Sequence, residues 1–323
     1  MTSVMRASLR AAAAIALGSL AVGASVTAQD FPSRTIRVIV GPGPDIVPRL
    51  LGPKMTEALG QPVVVEPRTG AGGVIAAQAV AAAPPDGHML LQATASYTIN
   101  TALQTSPLDL GRDFAPIMLA TTSPFALLVH PSLPAKTLAE LIAYAKANPG
   151  KLNYASSGVG TPPHLAGELF KTMADVDIVH VPFREANSAL NSVMAGATQM
   201  TFAIASIAQA QIGAGTVRGI AVTSKQASAL VPGLPSVAQA GLPGFEVIGW
   251  NGYVAPKGTP VPVIAKLNAV LSAGLDDAEL RQRLIGAGYE PADKNSPQQF
   301  GAFIAADIAK WRDLVAKTNM KAN

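Results

Sequence analysis

The chain has 323 residues and no cysteine, which excludes disulfides, zinc–thiolate sites, iron–sulfur clusters and cysteine nucleophiles together. At 49% hydrophobic and 14% charged it has the composition of a globular protein with a substantial core, not of a disordered chain. The formal net charge is +4, but removing Arg6 and Arg10 with an N-terminal leader leaves 22 basic against 20 acidic residues, and with no Lys/Arg run and 5% aromatics nucleic acid is not an expected partner.

Residues 1–28 read as a cleavable export leader. Arg6 and Arg10 give a positive start, Ala11 to Val22 an apolar run of h-region length, and Val26-Thr27-Ala28 a small-residue cleavage site before Gln29. The run is short for a membrane span, and no later segment has about 18 uninterrupted apolar residues. No Cys follows the h-region, so a lipid anchor is not expected, and the mature chain is expected in a bacterial periplasm. About 295 residues then remain, enough for a core without disulfides, as one large domain or two.

Residues 35–40 (Thr-Ile-Arg-Val-Ile-Val) predict a buried strand, and 45–59 a helical face interrupted by Pro48 and Pro53, so that the helix starts late or is kinked. A strand follows at 62–66, a Gly-rich loop at 70–73, an alanine-rich helix at 74–83 and a strand at 88–91. This βαβαβ order predicts a parallel sheet covered by helices. A second cycle runs through strand material at 116–129, a helix at 138–147 capped by Thr137, strands at 152–155, 178–181, 199–204 and 217–223, and helices at 162–173 and 186–195. Residues 231–245 are Pro/Gly-rich irregular chain, 246–255 a strand with Trp250 and Tyr253, and three helices close the chain at 261–274, 277–287 and 297–318. Gly288 suits a helix C′ position and Ser296-Pro297 a helix start. Two α/β cycles and a helical end predict two lobes with a cleft between them: 29–124 with 225–323, and 125–224.

Ligands of open α/β sheets sit at the carboxyl ends of the strands. That points to the loops 41–45, 67–73, 93–98, 155–161, 182–187 and 203–206. The candidate ligand contacts are Gly41, Gly43 and Asp45; Thr94 and Ser96; Ser156, Ser157, Gly158, Gly160, Thr161 and His164; and Glu185, Ala186 and Asn187. The loop at 155–161 is the most informative. Thr161 stands at an N-cap position and Pro162 at the first helical residue, so backbone N–H groups, a helix N-terminus and three hydroxyls meet where an anion such as a carboxylate can be held. An ordinary capped strand-to-helix turn has the same local sequence.

Other chemistry finds little support. Gly41-Pro-Gly43 lacks the third glycine of a dinucleotide loop, and its prolines remove amide donors. Tyr154-Ala-Ser156-Ser-Gly158 misses the nucleophile-elbow pattern by one residue. His88, His130, His164 and His180 show no metal-ligand spacing; His164 either meets a ligand or faces solvent. Trp250 and Tyr253 either line the cleft or pack in the core. Ser156 stays open as a nucleophile, with no partner evident in the sequence, and no cofactor or metal is expected.

The chain resembles the Bug-type solute-binding proteins of tripartite tricarboxylate transporters. The resemblance is carried by Phe31-Pro-Ser-Arg-Thr-Ile-Arg-Val-Ile-Val40, Leu59-Gly-Gln-Pro-Val-Val-Val-Glu66 with Gly70-Ala-Gly-Gly73, Pro85-Asp-Gly87, Ala155-Ser-Ser-Gly-Val-Gly-Thr161 with His164-Leu-Ala-Gly-Glu168, Val181-Pro-Phe183, and Gly241-Leu-Pro-Gly-Phe245 before Trp250. It implies an α/β fold of the periplasmic-binding-protein type II-like class, two lobes closing on a small carboxylate or amino-acid ligand, no catalysis, a monomer, and the permease subunits of such a transporter as partners. Departures from the family pattern are a first loop shortened to Gly-Pro-Gly-Pro between Val40 and Asp45, Pro67-Arg68-Thr69 for Asn-Arg-Pro, Glu185 for a usual Gly, and Phe202-Ala-Ile204 for Phe-Asp-Asn. They imply an atypical or less acidic ligand, or weak binding, with Glu185 able to meet an ammonium group. The competing readings are an exported serine hydrolase using Ser156 or Ser157, and a ligand sensor for a membrane kinase.

Overall fold

The computed structural model describes residues 31–41, 45–68, 70 and 73–318. The expected leader over 1–28, and Gly43 of the first loop, lie outside the described residues.

β1 (Ile36–Val40) is nearly all apolar because parallel strands flank it on both sides, β2 (Val63–Pro67) and β3 (Met89–Thr94), and helices cover the sheet. α1 (Ile46–Leu59) joins β1 to β2, and α2 (Val74–Ala81) joins β2 to β3. The expected late start of α1 does not occur. Pro48 falls in the first turn, where its missing N–H has no intrahelical acceptor to lose, and the helix continues through Pro53. It ends at Gly60, whose φ of 67° is left-handed and whose N–H donates to the Thr56 carbonyl.

β3 passes directly into α3 (Ala95–Ala102), which sequence periodicity did not reveal. Its Tyr97, Thr98, Ile99 and Thr101 are weak helix formers. Burial overrides propensity here: Tyr97, Ile99 and Ala102 join the core, and Thr98 Oγ1 donates to Asp307 Oδ2 at 2.6 Å.

α4 (Leu110–Asp113) leads into the 16-residue β4 (Phe114–Val129), the strand that links the two halves of the sheet. Residues 114–124 pair antiparallel with β9 (Ile248–Pro256), which in turn pairs with β3. Phe125–Val129 instead pair with β7 (Met200–Ile204) and, over 126–129, with β8 (Arg218–Val222). β5 (Asn153–Ser156) lies parallel to both β7 and β6 (Val179–Pro182). The order is thus β2-β1-β3-β9-β4-β7-β5-β6, with β8 and the short β10 (Glu290–Pro291) pairing β4 off that path. Parallel strands make up each end of the sheet, and the antiparallel β9 and β4 join them.

α5 (Leu138–Ala147) begins at the expected Thr137, in a capping box with Glu140. α6 (Pro162–Ala174), α7 (Ala186–Met194) and α8 (Ala205–Gly213) follow β5, β6 and β7; α8 was also not predicted. The Pro/Gly-rich stretch after β8 is ordered without a helix or strand, and Thr223 ties it down by donating to the Val247 carbonyl at 2.5 Å. α9 (Val261–Asp276), α10 (Ala278–Gly286) and α11 (Pro297–Thr318) complete the chain, and Gly288, at φ 86°, closes α10 as expected. No helix among the described residues is long and apolar enough to cross a membrane.

Candidate functional site

Four strand-to-helix junctions open on one cavity of about 550 Å³. Thr94, Ala95 and Ser96 come from β3–α3, Ser157 and Thr161 from β5–α6, Arg184 to Asn187 from β6–α7, and Ala203 and Ile204 from β7–α8. These are carboxyl ends of strands, where side chains and helix N-termini meet outside the sheet. The remaining wall comes from β4 and β9: Ser123 and Phe125, which bracket the point where β4 changes partner, and Trp250 and Asn251. Tyr289, after α10, completes it.

None of α3, α6, α7 and α8 is capped by its own N-cap side chain. By contrast α4, α5, α10 and α11, which start away from the cavity, are capped by Asp109, Thr137, Asp277 and Ser296. A missing cap does not mark a site by itself, since α1, α2 and α9 lack one too. The convergence of four such ends is what makes the cavity attractive to negative charge. They are unequal, because Pro162 and Pro163 leave α6 without its first two amide donors.

The loop at 155–161 differs from its expected role. It spends its donors on itself. The Gly158 N–H donates to Ser156 Oγ at 3.1 Å, the Gly160 N–H to His164 Nδ1 at 3.2 Å, and the Thr161 N–H and hydroxyl to the Gly158 carbonyl at 3.4 and 2.7 Å. Ser156 is 0% exposed, with its Oγ 2.6 Å from His180 Nε2. Ser156, Gly158, Gly160 and His164 are therefore the scaffold of the loop and do not line the cavity; Ser157 and Thr161 do. A Ser–His pair exists, but the hydroxyl is sealed beneath the loop and offers no approach to a substrate carbonyl.

His164 neither reaches the cavity nor faces solvent. It is 5% exposed and stacks on His180 with centroids 4.1 Å apart, and His180 stacks on Tyr154 at 4.8 Å. Gly167 permits this layer, since a Cβ there would lie 2.1 Å from the Tyr154 ring. Tyr154 donates to Glu168 Oε1 at 2.6 Å. Burial, then the neighbouring His164 ring, push His180 down to about 4; Glu168 opposes and Lys171 adds. Burial also lowers His164, whose Nδ1 must be unprotonated to accept from Gly160. Both imidazoles bind protons more readily when unfolded, so stability rises with pH between the folded and unfolded values. The melting temperature is expected to fall as pH drops from about 6.5 to about 4, by the equivalent of roughly 1–2 kcal/mol after allowance for partial exposure. Thermal melts of the wild type and His180→Gln across that range check it; an unchanged slope in the variant would contradict it.

Of the other expected contacts, Thr94, Ser96, Glu185, Ala186 and Asn187 line the cavity, and Gly41 and Asp45 do not. Gly41 is packed beneath α3, where a Cβ would stand 2.1 Å from the Tyr97 hydroxyl. Asp45 is engaged by Arg49 at 2.6 Å. Tyr253 is core, whereas Trp250 is 2% exposed yet lines the cavity, its Nε1 donating to Asp307 Oδ2 at 3.1 Å.

Sequence reasoning missed Arg184, the only Lys or Arg on the cavity wall among the described residues. A signal existed: it is the only basic residue in the loops 93–98, 155–161, 182–187 and 203–206. The side chains of Arg184 and Glu185 make no ion pair or hydrogen bond to another described residue, although the Glu185 carbonyl accepts from the Ala189 N–H at 3.2 Å. Much of the polar wall is already satisfied. Asn251 accepts from Gln92 at 2.7 Å and donates to Thr121 at 3.1 Å, Ser123 donates to the Gly288 carbonyl at 2.8 Å, and Thr201 to the Ala155 carbonyl at 2.9 Å. Thr94 Oγ1, in contrast, is buried with no partner among the described residues. No group of three or more acidic or histidine side chains among the described residues can hold a metal.

Comparison with known proteins matches residues 47–320 to the profile of the tripartite tricarboxylate transporter family receptor. Protein BugT of Bordetella pertussis is 30% identical, over 97% of this chain and 98% of its own. Among solved structures, an R. palustris protein with adipate superposes with a TM-score of 0.79 at 32% identity, covering 90% of this chain and 99% of its own. MatC from Rhodopseudomonas palustris with bound malate gives 0.75 at 34% identity, covering 88% and 100%.

Proposed function

The chain belongs to the tripartite tricarboxylate transporter receptor family, whose members are binding proteins and not enzymes, and from that premise we propose that it is a periplasmic receptor that captures a small carboxylate-bearing ligand and delivers it to the permease subunits of such a transporter. The observation that carries this reading is the convergence of Arg184 with the starts of α3 and α7 on one cavity. Backbone amides at helix N-termini and a guanidinium are the groups that recognise a carboxylate. The relatives solved with adipate and malate support the same ligand class.

The cavity takes Thr94, Ser96 and Trp250 from one proposed lobe (29–124 with 225–323) and Ser157, Thr161 and Arg184 to Asn187 from the other (125–224). The change of partner in β4 between Pro124 and Phe125 supports a boundary there. A ligand gripped from both sides favours closure, which is how a receptor signals occupancy to a membrane partner.

The test is calorimetry and thermal melting of protein purified from periplasmic extract, against mono- and dicarboxylates and their uncharged amides. Carboxylates are expected to bind without turnover and to raise the melting temperature, by the equivalent of about 2.7 kcal/mol at a hundredfold excess over Kd. Equal binding of the amides would sink the carboxylate reading.

A further inference from the structure

We propose that the ligand carries a single carboxylate on an apolar body, and that Glu185 selects against a second carboxylate. This rests on the carboxylate reading above and narrows it.

Charge supports it first. Among the described residues, Arg184 and Glu185 are the only charged side chains on the wall, adjacent in the chain and opposite in sign. Of the four helix ends, α6 has prolines in place of its first two donors, and α8 presents Ile204 and Ile207 to the cavity. As side-chain charges Arg184 and Glu185 cancel, so the net positive potential comes from the partial charges of the helix starts, with Arg184 as the one full cation. That matches one carboxylate. A second would be desolvated with no cation left to meet it.

The rest of the wall supports the apolar body. Phe125, Leu190, Ile204, Ile207, Pro162 and Pro163 face the cavity. Of the polar groups on the wall, those on Ser123, Thr201, Trp250 and Asn251 have partners inside the protein, which leaves Thr94, Ser96, Ser157 and Asn187, beside the helix starts, to meet the one carboxylate. A second polar end on the ligand would lose water and find few bonds in return, whereas a ring or branched chain loses nothing. At about 550 Å³ the cavity falls in the size range that accepts a ring-sized body.

Calorimetry with benzoate, cyclohexanecarboxylate and 4-methylpentanoate against adipate and malate tests it, on the wild type and on Glu185→Gln, with Glu185→Ala as a second variant. The best monocarboxylate is expected to bind the wild type at least tenfold tighter than either dicarboxylate. Both variants are expected to shift that ratio at least tenfold toward adipate. Equal or tighter binding of adipate or malate to the wild type, or an unchanged ratio in the variants, overturns the inference and leaves the carboxylate receptor standing. L-leucine binding tighter than 4-methylpentanoate, with the advantage lost in Glu185→Gln, also overturns it, because Glu185 would then be holding an ammonium. Binding of no carboxylate by folded protein overturns both readings.

Discussion

Replacing Arg184 by Gln is expected to weaken carboxylate binding by about 10- to 100-fold while leaving the melting temperature of the unliganded protein within a degree or two. The first half follows from the cavity wall, where Arg184 is the only cation among the described residues and its side chain has no other described partner to satisfy. A hydrogen bond to a charged group contributes about 1.5–3 kcal/mol, and each 1.4 kcal/mol is a decade in affinity. The second half follows from its exposure: removing a solvated side chain that makes no hydrogen bond or ion pair to another described residue costs the fold little. Arg184→Lys separates charge from geometry. An ammonium keeps the attraction and loses the planar fork, so the lysine variant should fall between the wild type and the glutamine variant. Calorimetry with the best-binding carboxylate decides it. Wild-type affinity in Arg184→Gln would move the anchor to the helix starts alone.

Trp250→Ala is expected to destabilise the protein by about 3–5 kcal/mol, the usual cost of truncating a buried large aromatic to alanine. Trp250 is 2% exposed and meets Phe300 and Phe303 edge-on, at 5.8 and 5.5 Å between centroids. Its indole N–H is one of two neutral donors to Asp307 Oδ2; the other is Thr98 Oγ1, and Lys310 pairs with Oδ1 at 3.0 Å. The truncation opens a hole where β9, α3 and α11 meet and removes a donor from a carboxylate that is itself buried. Trp250→Phe keeps most of the ring volume, so its smaller loss isolates the hydrogen bond at about 1–3 kcal/mol. Urea unfolding measures both, and a lowered midpoint with an unchanged slope identifies a stability loss. The residue also lines the cavity, so ligand affinity should fall in the alanine variant. A loss below about 1 kcal/mol would mean the site collapses to fill the gap.

The strands and most helices were legible because each carries a local cause. The apolar run at 36–40, the Thr137–Glu140 box and Gly288 act within a few residues of themselves. Three helices were missed: the one-turn α4, too short to show a period although Asp109 caps it, and α3 and α8, which lack such causes. α3 is a poor helix by propensity, held in place by burial and by Asp307, which is 209 positions away from Thr98 in the chain. The candidate site divides in the same way. Thr94, Ser96, Ser157, Thr161 and Glu185 to Asn187 could be named because ligand sites gather at strand ends. Ser123, Phe125, Asn251 and Tyr289 could not, since nothing local distinguishes a strand residue facing a cavity from one facing the core.

By itself, the sequence determined the α/β class, the order of the strands along the chain and which junctions carry small polar residues, because periodicity and capping are properties of neighbouring residues. The tertiary structure alone decided which of those polar groups remain available. Ser156, Gly158, Gly160 and His164 have the same residue types as a ligand site, yet the His164–His180–Tyr154 layer and the turn's own hydrogen bonds consume them. A donor can satisfy a ligand or its own fold, and which it does is set by what lies within about 3 Å in space, a distance that spacing along the chain does not encode.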